Sequence, residues 1–247
     1  MVGYDKLAQF FFERRRNPTR FDYNRDIEVP AMIKLLGDVK GKVILDIGCG
    51  FGDHISRLSK KGAKKLTGFD ASNKLIEFAK NQDIPNAEFY VGSINRKLKF
   101  RNETFNIVFS SLVVHYVKNL NQLYSEASRV LKRGGTFVFS TGHPVFDLVC
   151  QSPTGLIGFT ISKGKRKIYG NYFDESPKDT RIGSLGVMKE YSYTFETLIK
   201  TGLTNGFELV DYVDAKPIPL SRRKNPETYK VTSTLPTFML FKWKKKL

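Results

Sequence analysis

The run Val43-Ile-Leu-Asp-Ile-Gly-Cys-Gly-Phe-Gly52 limits what this chain can fold into more than any other stretch. Lys42 to Ile47 is a largely apolar segment bounded by Gly41 and Gly48, too short for a helix and typical of a parallel strand buried on both faces. Gly48 and Gly50 let the backbone turn tightly and approach a ligand without Cβ interference. Gly52 opens the next helix, and Asp46 puts a carboxylate beside the turn. Ligands of open α/β sheets lie outside the carboxyl ends of the strands, so this loop is expected to hold a nucleoside or an amino-acid moiety. A dinucleotide fits poorly. Counted from Gly48, the pattern Gly-x-Gly-x-x-Gly meets Asp53 at its last glycine, and an acid at a helix start repels a pyrophosphate. Asp70 closes the next strand and is placed to accept hydrogen bonds from two ribose hydroxyls.

The rest of the chain repeats that unit. Helices are expected over 4–16, 27–36 (with Pro30 tolerated in the first turn), 53–61, 73–81 and 120–131. Strands are expected over 65–70, 87–91, 105–110 and 135–141. Such alternation implies right-handed crossovers and a doubly wound α/β sheet covered on both sides. From Gly142 to about Met188 the rhythm breaks into a Gly-, Lys-, Ser- and Tyr-rich stretch without periodicity, read as an irregular insertion. A helix over 190–204 and strands over 207–213 and 237–243 follow. A chain of 247 residues with 40% apolar side chains holds one large domain more comfortably than two catalytic ones.

Two cysteines, Cys49 and Cys150, support neither a disulfide framework nor a four-ligand zinc site, and no apolar stretch reads as a signal or a membrane span. The expectation is a cytoplasmic protein with no metal and no membrane association, as a monomer or homodimer. The net charge of +17 attracts polyanions. Its basic runs (14–16, 60–61, 163–167, 222–224, 244–246) are scattered, however, and lack the aromatic interleaving of a single-strand groove. Weak, non-specific nucleic-acid affinity is the reading of that charge.

Taken together, the glycine loop, Gly68-Phe-Asp-Ala-Ser72, Phe105 to Val117 and Arg129-Val-Leu-Lys-Arg-Gly-Gly135 resemble, in order, the class I S-adenosylmethionine-dependent methyltransferases of the type 11 group. A narrower bacterial-type subgroup is similar in Phe139 to Phe146, in Tyr172-Phe-Asp-Glu175, and in Tyr191 to Thr194 followed by Asn205-Gly-Phe207. The resemblance implies a mostly parallel, Rossmann-like seven-stranded sheet, with residues 1–40 as a helical lid and 142–190 as a substrate-side insertion. It implies S-adenosyl-L-methionine as cofactor and S-adenosyl-L-homocysteine as product. Asp46 and the glycines Gly48, Gly50 and Gly52 would hold the methionine part, Asp70 the ribose, and Ser93 and Ile94 the adenine, with Cys49, Ala71 and Ser110 also in the cofactor site. Many relatives carry Asp at the position of Ser93, so the adenine amine would lean on backbone acceptors or Asn95. Subgroup members often carry His at the position of Ser192.

Methyl transfer from a sulfonium is an in-line displacement that needs chiefly alignment, and a base only if the acceptor must lose a proton. His115, five residues past the end of strand four, is the first candidate base, with a helix-ordering role as the alternative. His143 is the second candidate, although a His-Pro turn at a strand end is often structural. His54 is expected to touch the donor or solvent. Tyr116, Phe146 and Tyr191 are candidates for the acceptor pocket, with core packing the alternative reading for each. The acceptor is expected to be a small molecule methylated on O or N. The alternative is an RNA ribose or ring nitrogen. Exocyclic base amines are disfavoured because Ser110-Ser-Leu-Val113 stands where an Asn/Asp-Pro-Pro-aromatic run would be needed, and carbon-5 chemistry because neither cysteine is well placed.

Overall fold

The computed structural model describes residues 4–149, 158–182 and 186–246. In chain order these form α1 (Tyr4–Arg16), a π turn (Asn24–Glu28), α2 (Val29–Leu36), β1 (Val43–Ile47), α3 (Asp53–Lys60), β2 (Lys65–Asp70), α4 (Asn73–Lys80) and β3 (Ala87–Val91). Next come β4 (Phe105–Ser111), a 3-10 turn (Val114–Tyr116), α5 (Leu120–Val130) and β5 (Leu131–Gly142). The remainder comprises α6 (Pro144–Val149), β6 (Gly158–Ser162), β7 (Lys165–Tyr169), β8 (Lys178–Ile182), β9 (Gly186–Glu190), α7 (Phe195–Thr204), β10 (Phe207–Asp214), a 3-10 turn (Pro219–Arg223), α8 (Pro226–Thr234) and β11 (Phe238–Lys245).

Seven strands make one sheet in the order β10-β11-β5-β4-β1-β2-β3. Strands β1 to β5 pair in parallel, and β11 runs antiparallel to both β5 and β10. Side chains of successive strand residues point to opposite faces, and that parity divides the core in two. Ile44, Ile107, Phe109 and Val138 pack on the face covered by α2 and α3, against Met32, Ile55 and Leu58. Leu45, Ile47, Val108, Phe137 and Phe139 pack on the other, against Tyr124, Leu198 and Trp243. By the same parity Asp46, Ser111 and Ser140 fall on the α2/α3 face, which decides the chemistry described below.

The helices start where the sequence supplies caps. Ser72 accepts from Leu75 N at 3.1 Å and Asn119 from Gln122 N at 3.0 Å, satisfying first-turn amides of α4 and α5. Helix α5 buries Leu123, Ala127 and Val130 at helical spacing. The helix expected over 27–36 begins earlier, because the π turn feeds directly into it. Inside that turn Asp26 is buried and paired with Lys224 Nζ at 2.6 Å.

Two expectations need correction, and one helix had no expectation. The stretch 142–188 is not irregular throughout: β6 pairs with β7 and β8 with β9 as antiparallel hairpins. The first turns at Lys163-Gly164, both at positive φ (49° and 72°), the geometry of a two-residue primed hairpin turn. Its strands are only five residues long, and the second, Lys-Arg-Lys-Ile-Tyr, carries no alternating apolar pattern. The helix expected from Glu190 starts at Phe195, because Thr194 caps it and Glu190 ends β9. Helix α8 was not anticipated. Its Thr- and Ser-rich composition is poor in helix formers, although Asn225 capping Thr228 N, with Pro226 at the first position, is a readable start signal.

Candidate active site

The end of β1 is built by backbone geometry. Gly48 N and Cys49 N both donate to Phe69 O, at 2.8 and 3.0 Å, folding the loop back over β2. Gly48 sits at φ 77°, and a Cβ there would lie 2.3 Å from Val113 Cγ2, so no larger residue fits. Asp70 holds the loop from the other side. Its Oδ2 accepts from Gly50 N at 3.0 Å and its Oδ1 from Ser72 N at 2.9 Å. Between them lies a cavity of about 200 Å³, the loop cavity.

Seven of the anticipated cofactor residues line it: Gly48, Cys49, Gly50, Asp70, Ala71, Ser93 and Ile94. His54, Asn95, Phe11 and Arg15 also reach it. Gly52 instead caps α3 at φ 85°, against the Phe89 ring. Ser110 is a correction. It points to the far face and donates to Ile47 O at 2.9 Å, fully buried, while Ser111 faces the cavity. A one-residue error in a strand reverses the face.

Asp46 lies behind the loop, buried, with neither carboxylate oxygen hydrogen-bonded to any group among the described residues. Burial, with Asp70 and Glu28 nearby, pushes its pKa up to about 8 against the pull of His54. Burial likewise raises Asp70, opposed by the amides it accepts from, and raises the free Cys49 thiol. Cys150 lies outside the described residues.

The sequence reading missed Glu28. This carboxylate has no exposure and is bonded on both oxygens. Oε2 lies 3.2 Å from His54 Nε2, and Oε1 accepts from Ser140 Oγ at 2.7 Å and Ser111 Oγ at 2.8 Å. Burial works to raise Glu28, but His54 and the two hydroxyls outweigh it and hold the carboxyl below its ordinary range. Burial works to lower His54, but Glu28 outweighs it and holds the imidazole above its ordinary range. The shifts agree on an ionised pair. The available signal was an acid between Ile27 and Val29 at the head of an apolar helix, a position where an unpaired charge is costly.

A second cavity, of about 370 Å³, adjoins the first and shares Phe11, Arg15, Leu112 and Tyr116 with it; we call it the insertion cavity. His115, Tyr116 and Tyr191 line it together, with Tyr172 and Glu190. Tyr191 N donates to His115 O at 2.7 Å, Tyr116 Oη to Glu190 Oε1 at 3.1 Å, and Tyr193 Oη to Val117 O at 2.5 Å, which ties the segment after β9 to the 3-10 turn after β4. The Tyr191 and Tyr193 rings lie parallel, 8° apart. Burial lowers the pKa of His115, against the opposing charge of Glu190, so the ring is neutral at pH 7.

The structure does not bring His143 or Phe146 to this wall. His143 is buried: its Nδ1 accepts from Val145 N at 3.1 Å and its Nε2 lies 3.3 Å from Asp214 Oδ1, so both ring nitrogens have partners. Phe146 packs edge-on against Tyr23. Ser192 lines the cavity at the position where the subgroup often has His. Among the described residues, no group of three or more His, Cys, Asp or Glu is placed to hold a metal ion, and no helix is long and apolar enough to cross a membrane.

Residues 45–139 match the methyltransferase domain family. An uncharacterized protein of Methanocaldococcus jannaschii is 31% identical over 218 residues, 79% of this chain and 78% of that one. Another, from Haemophilus influenzae, is 32% identical over 148 residues, 57% of each chain. The crystal structure of an S-adenosylmethionine-dependent methyltransferase from Mesorhizobium loti superposes with a TM-score of 0.73 at 27% identity, covering 87% of this chain and 96% of that one. With its sheet order, glycine loop and strand-two acid in place, the chain belongs to the S-adenosylmethionine-dependent methyltransferase family.

Proposed function

We propose that this protein moves the methyl group of S-adenosylmethionine to an oxygen or nitrogen of a small-molecule acceptor that enters the insertion cavity. The observation that carries this reading is the meeting of two cavities at Leu112 and Tyr116, one walled by the glycine loop and the other by tyrosines and His115. When bound, the donor supplies a methyl group already activated on a sulfonium. The loop amides from Gly48 to Gly50 and the two unpartnered oxygens of Asp46 suit the methionine part, whose cationic groups offset a buried carboxylate. Asp70 and Ala71 suit the ribose, and Ser93, Ile94 and Asn95 the adenine.

Residues 1–40 act as a lid in this reading. Helix α1 lays Phe11 and Arg15 across both cavities, and Asp5 fastens it by accepting from Ser72 Oγ at 2.6 Å. Excluding water there protects the donor from hydrolysis and aligns the acceptor. His115, neutral and facing the insertion cavity, takes the acceptor's proton; Tyr116 and Tyr191 orient the acceptor, and His143 serves the framework.

The test is His115→Gln, assayed by methyl incorporation from isotope-labelled donor into a metabolite extract. Donor affinity is expected to stay within about 0.5 kcal/mol while the rate falls roughly 100-fold. The wild-type rate should climb with pH through a step below the ordinary imidazole value of about 6.5, and the variant should lose that step. Near-normal turnover in the variant contradicts the assignment. The +17 charge favours one second reading, an RNA acceptor. Methyl incorporation at a single nucleotide that persists at physiological salt would establish that reading instead.

A further inference from the structure

We propose that Glu28 is a positioning residue for the donor site, whose two carboxylate oxygens separately hold two residues of the loop cavity's wall, His54 and Leu112. The role rests on the reading of that cavity as the donor's. One arm runs from Oε2 to His54, whose ring lines the cavity and packs against Phe109 at 5.8 Å between centroids. The other arm runs from Oε1 through Ser140. The Ser140 hydroxyl donates to Glu28 at 2.7 Å and accepts from Leu112 N at 3.0 Å, using its one proton and one lone pair. Ser111 donates to the same oxygen at 2.8 Å.

Leu112 is where the second arm matters. It lies at φ 54°, a left-handed conformation that a branched, non-glycine residue adopts only when its surroundings impose it, and it walls both cavities. Among the described residues its amide is held by Ser140, through Oγ and through the carbonyl at 3.2 Å. Glu28 orients that hydroxyl and so sets the partition across which a methyl group would pass. The chain reaches this point because strand parity puts Ser111 and Ser140 on the same face as Asp46, directly beneath the π turn that delivers Glu28.

Each arm has its own variant and its own readout. In Glu28→Gln the amide oxygen still accepts from both serines, but His54 loses its anion. Of the other acids around that ring, Asp46 and Asp53 remain. The proton-NMR titration midpoint of His54 should therefore fall by at least one pH unit, with Leu112 amide exchange unchanged. In Ser140→Ala the midpoint should stay within about 0.3 pH units while Leu112 amide exchange quickens at least tenfold. Glu28→Ala should lose both features, and calorimetry with S-adenosylhomocysteine should show at least tenfold weaker binding. If Glu28→Ala does not fold, the crossed pattern of the other two variants decides.

An unmoved His54 midpoint in Glu28→Gln overturns the proposal. So does unchanged Leu112 exchange in Ser140→Ala, or S-adenosylhomocysteine affinity within twofold of wild type in all three variants. Failure of the wild type itself to bind S-adenosylhomocysteine would reject the donor reading instead, and the two NMR readouts would still report on the network.

Discussion

Around the loop cavity the wall is built on the glycine turn after β1 and the Asp70 carboxylate that closes β2, both held by hydrogen bonds to the sheet backbone. Around the insertion cavity it consists of side chains, chiefly tyrosines, brought together by hydrogen bonds between a 3-10 turn and the segment that follows a hairpin. The first construction is least tolerant at Gly48, where an added Cβ would meet Val113 at 2.3 Å and the positive φ is itself part of the surface. The second can be re-lined residue by residue without disturbing the sheet. One fold can therefore keep a common donor while its acceptor varies.

The largest expected effect lies in the loop. Gly48→Ala has to place a methyl 2.3 Å from Val113 and hold φ 77°, a combined cost of about 3 kcal/mol or more. Calorimetry should then show S-adenosylhomocysteine binding weakened more than about 100-fold. Gly50→Ala meets no atom within 4 Å and is strained only by its φ of 54°, so the loss should be nearer 1 kcal/mol. Comparable losses in the two variants would show that the loop's shape is not what matters.

A buried carboxylate without partners gives the next effect, through pH. Because the pKa of Asp46 is raised to about 8 in the folded chain, its contribution to stability is complete below the unfolded value and is lost as pH rises through about 8. Without ligand, Asp46→Asn should therefore be more stable than wild type by roughly 1–3 kcal/mol at pH 9. The gap should close near pH 4. Thermal melts across that range check the sign, and a variant less stable than wild type at pH 9 refutes the account of Asp46.

The smallest effect marks the border between the two regions. Tyr191→Ala, deep in the insertion cavity, should leave S-adenosylhomocysteine affinity within about 0.5 kcal/mol. A larger loss would mean that the cavities do not divide the labour as proposed.

Much of the loop side was legible in the sequence because its signals are local: glycine spacing, an acid near the ends of β1 and β2, and a continuous apolar run. These led directly to Gly48, Gly50, Asp70, Ser93 and Ile94 on one cavity wall. Ser110 failed by one residue, since a buried strand that is apolar on both faces gives no alternation from which to read which side faces the ligand. Glu28 was illegible for a different reason. Its partners are 26, 83 and 112 residues away, and nothing in a single sequence pairs them. The hairpins of the insertion were missed because their strands are short and two of them, Lys165–Tyr169 and Lys178–Ile182, are charge-rich without a hydrophobic period, and His143 read as chemical until Val145 and Asp214 accounted for both of its nitrogens.

The central claim is that the donor lies against Asp70 at the carboxyl ends of the neighbouring strands β1 and β2. Calorimetric titration of S-adenosylhomocysteine into the wild type and Asp70→Ala tests it most directly. Asp70 would contact the ribose while its carboxylate also anchors Gly50 N and Ser72 N. We therefore expect micromolar affinity in the wild type and a loss of about 1.5–3 kcal/mol in the variant, without any added metal. Equal affinities in the two proteins would contradict the assignment of the donor site.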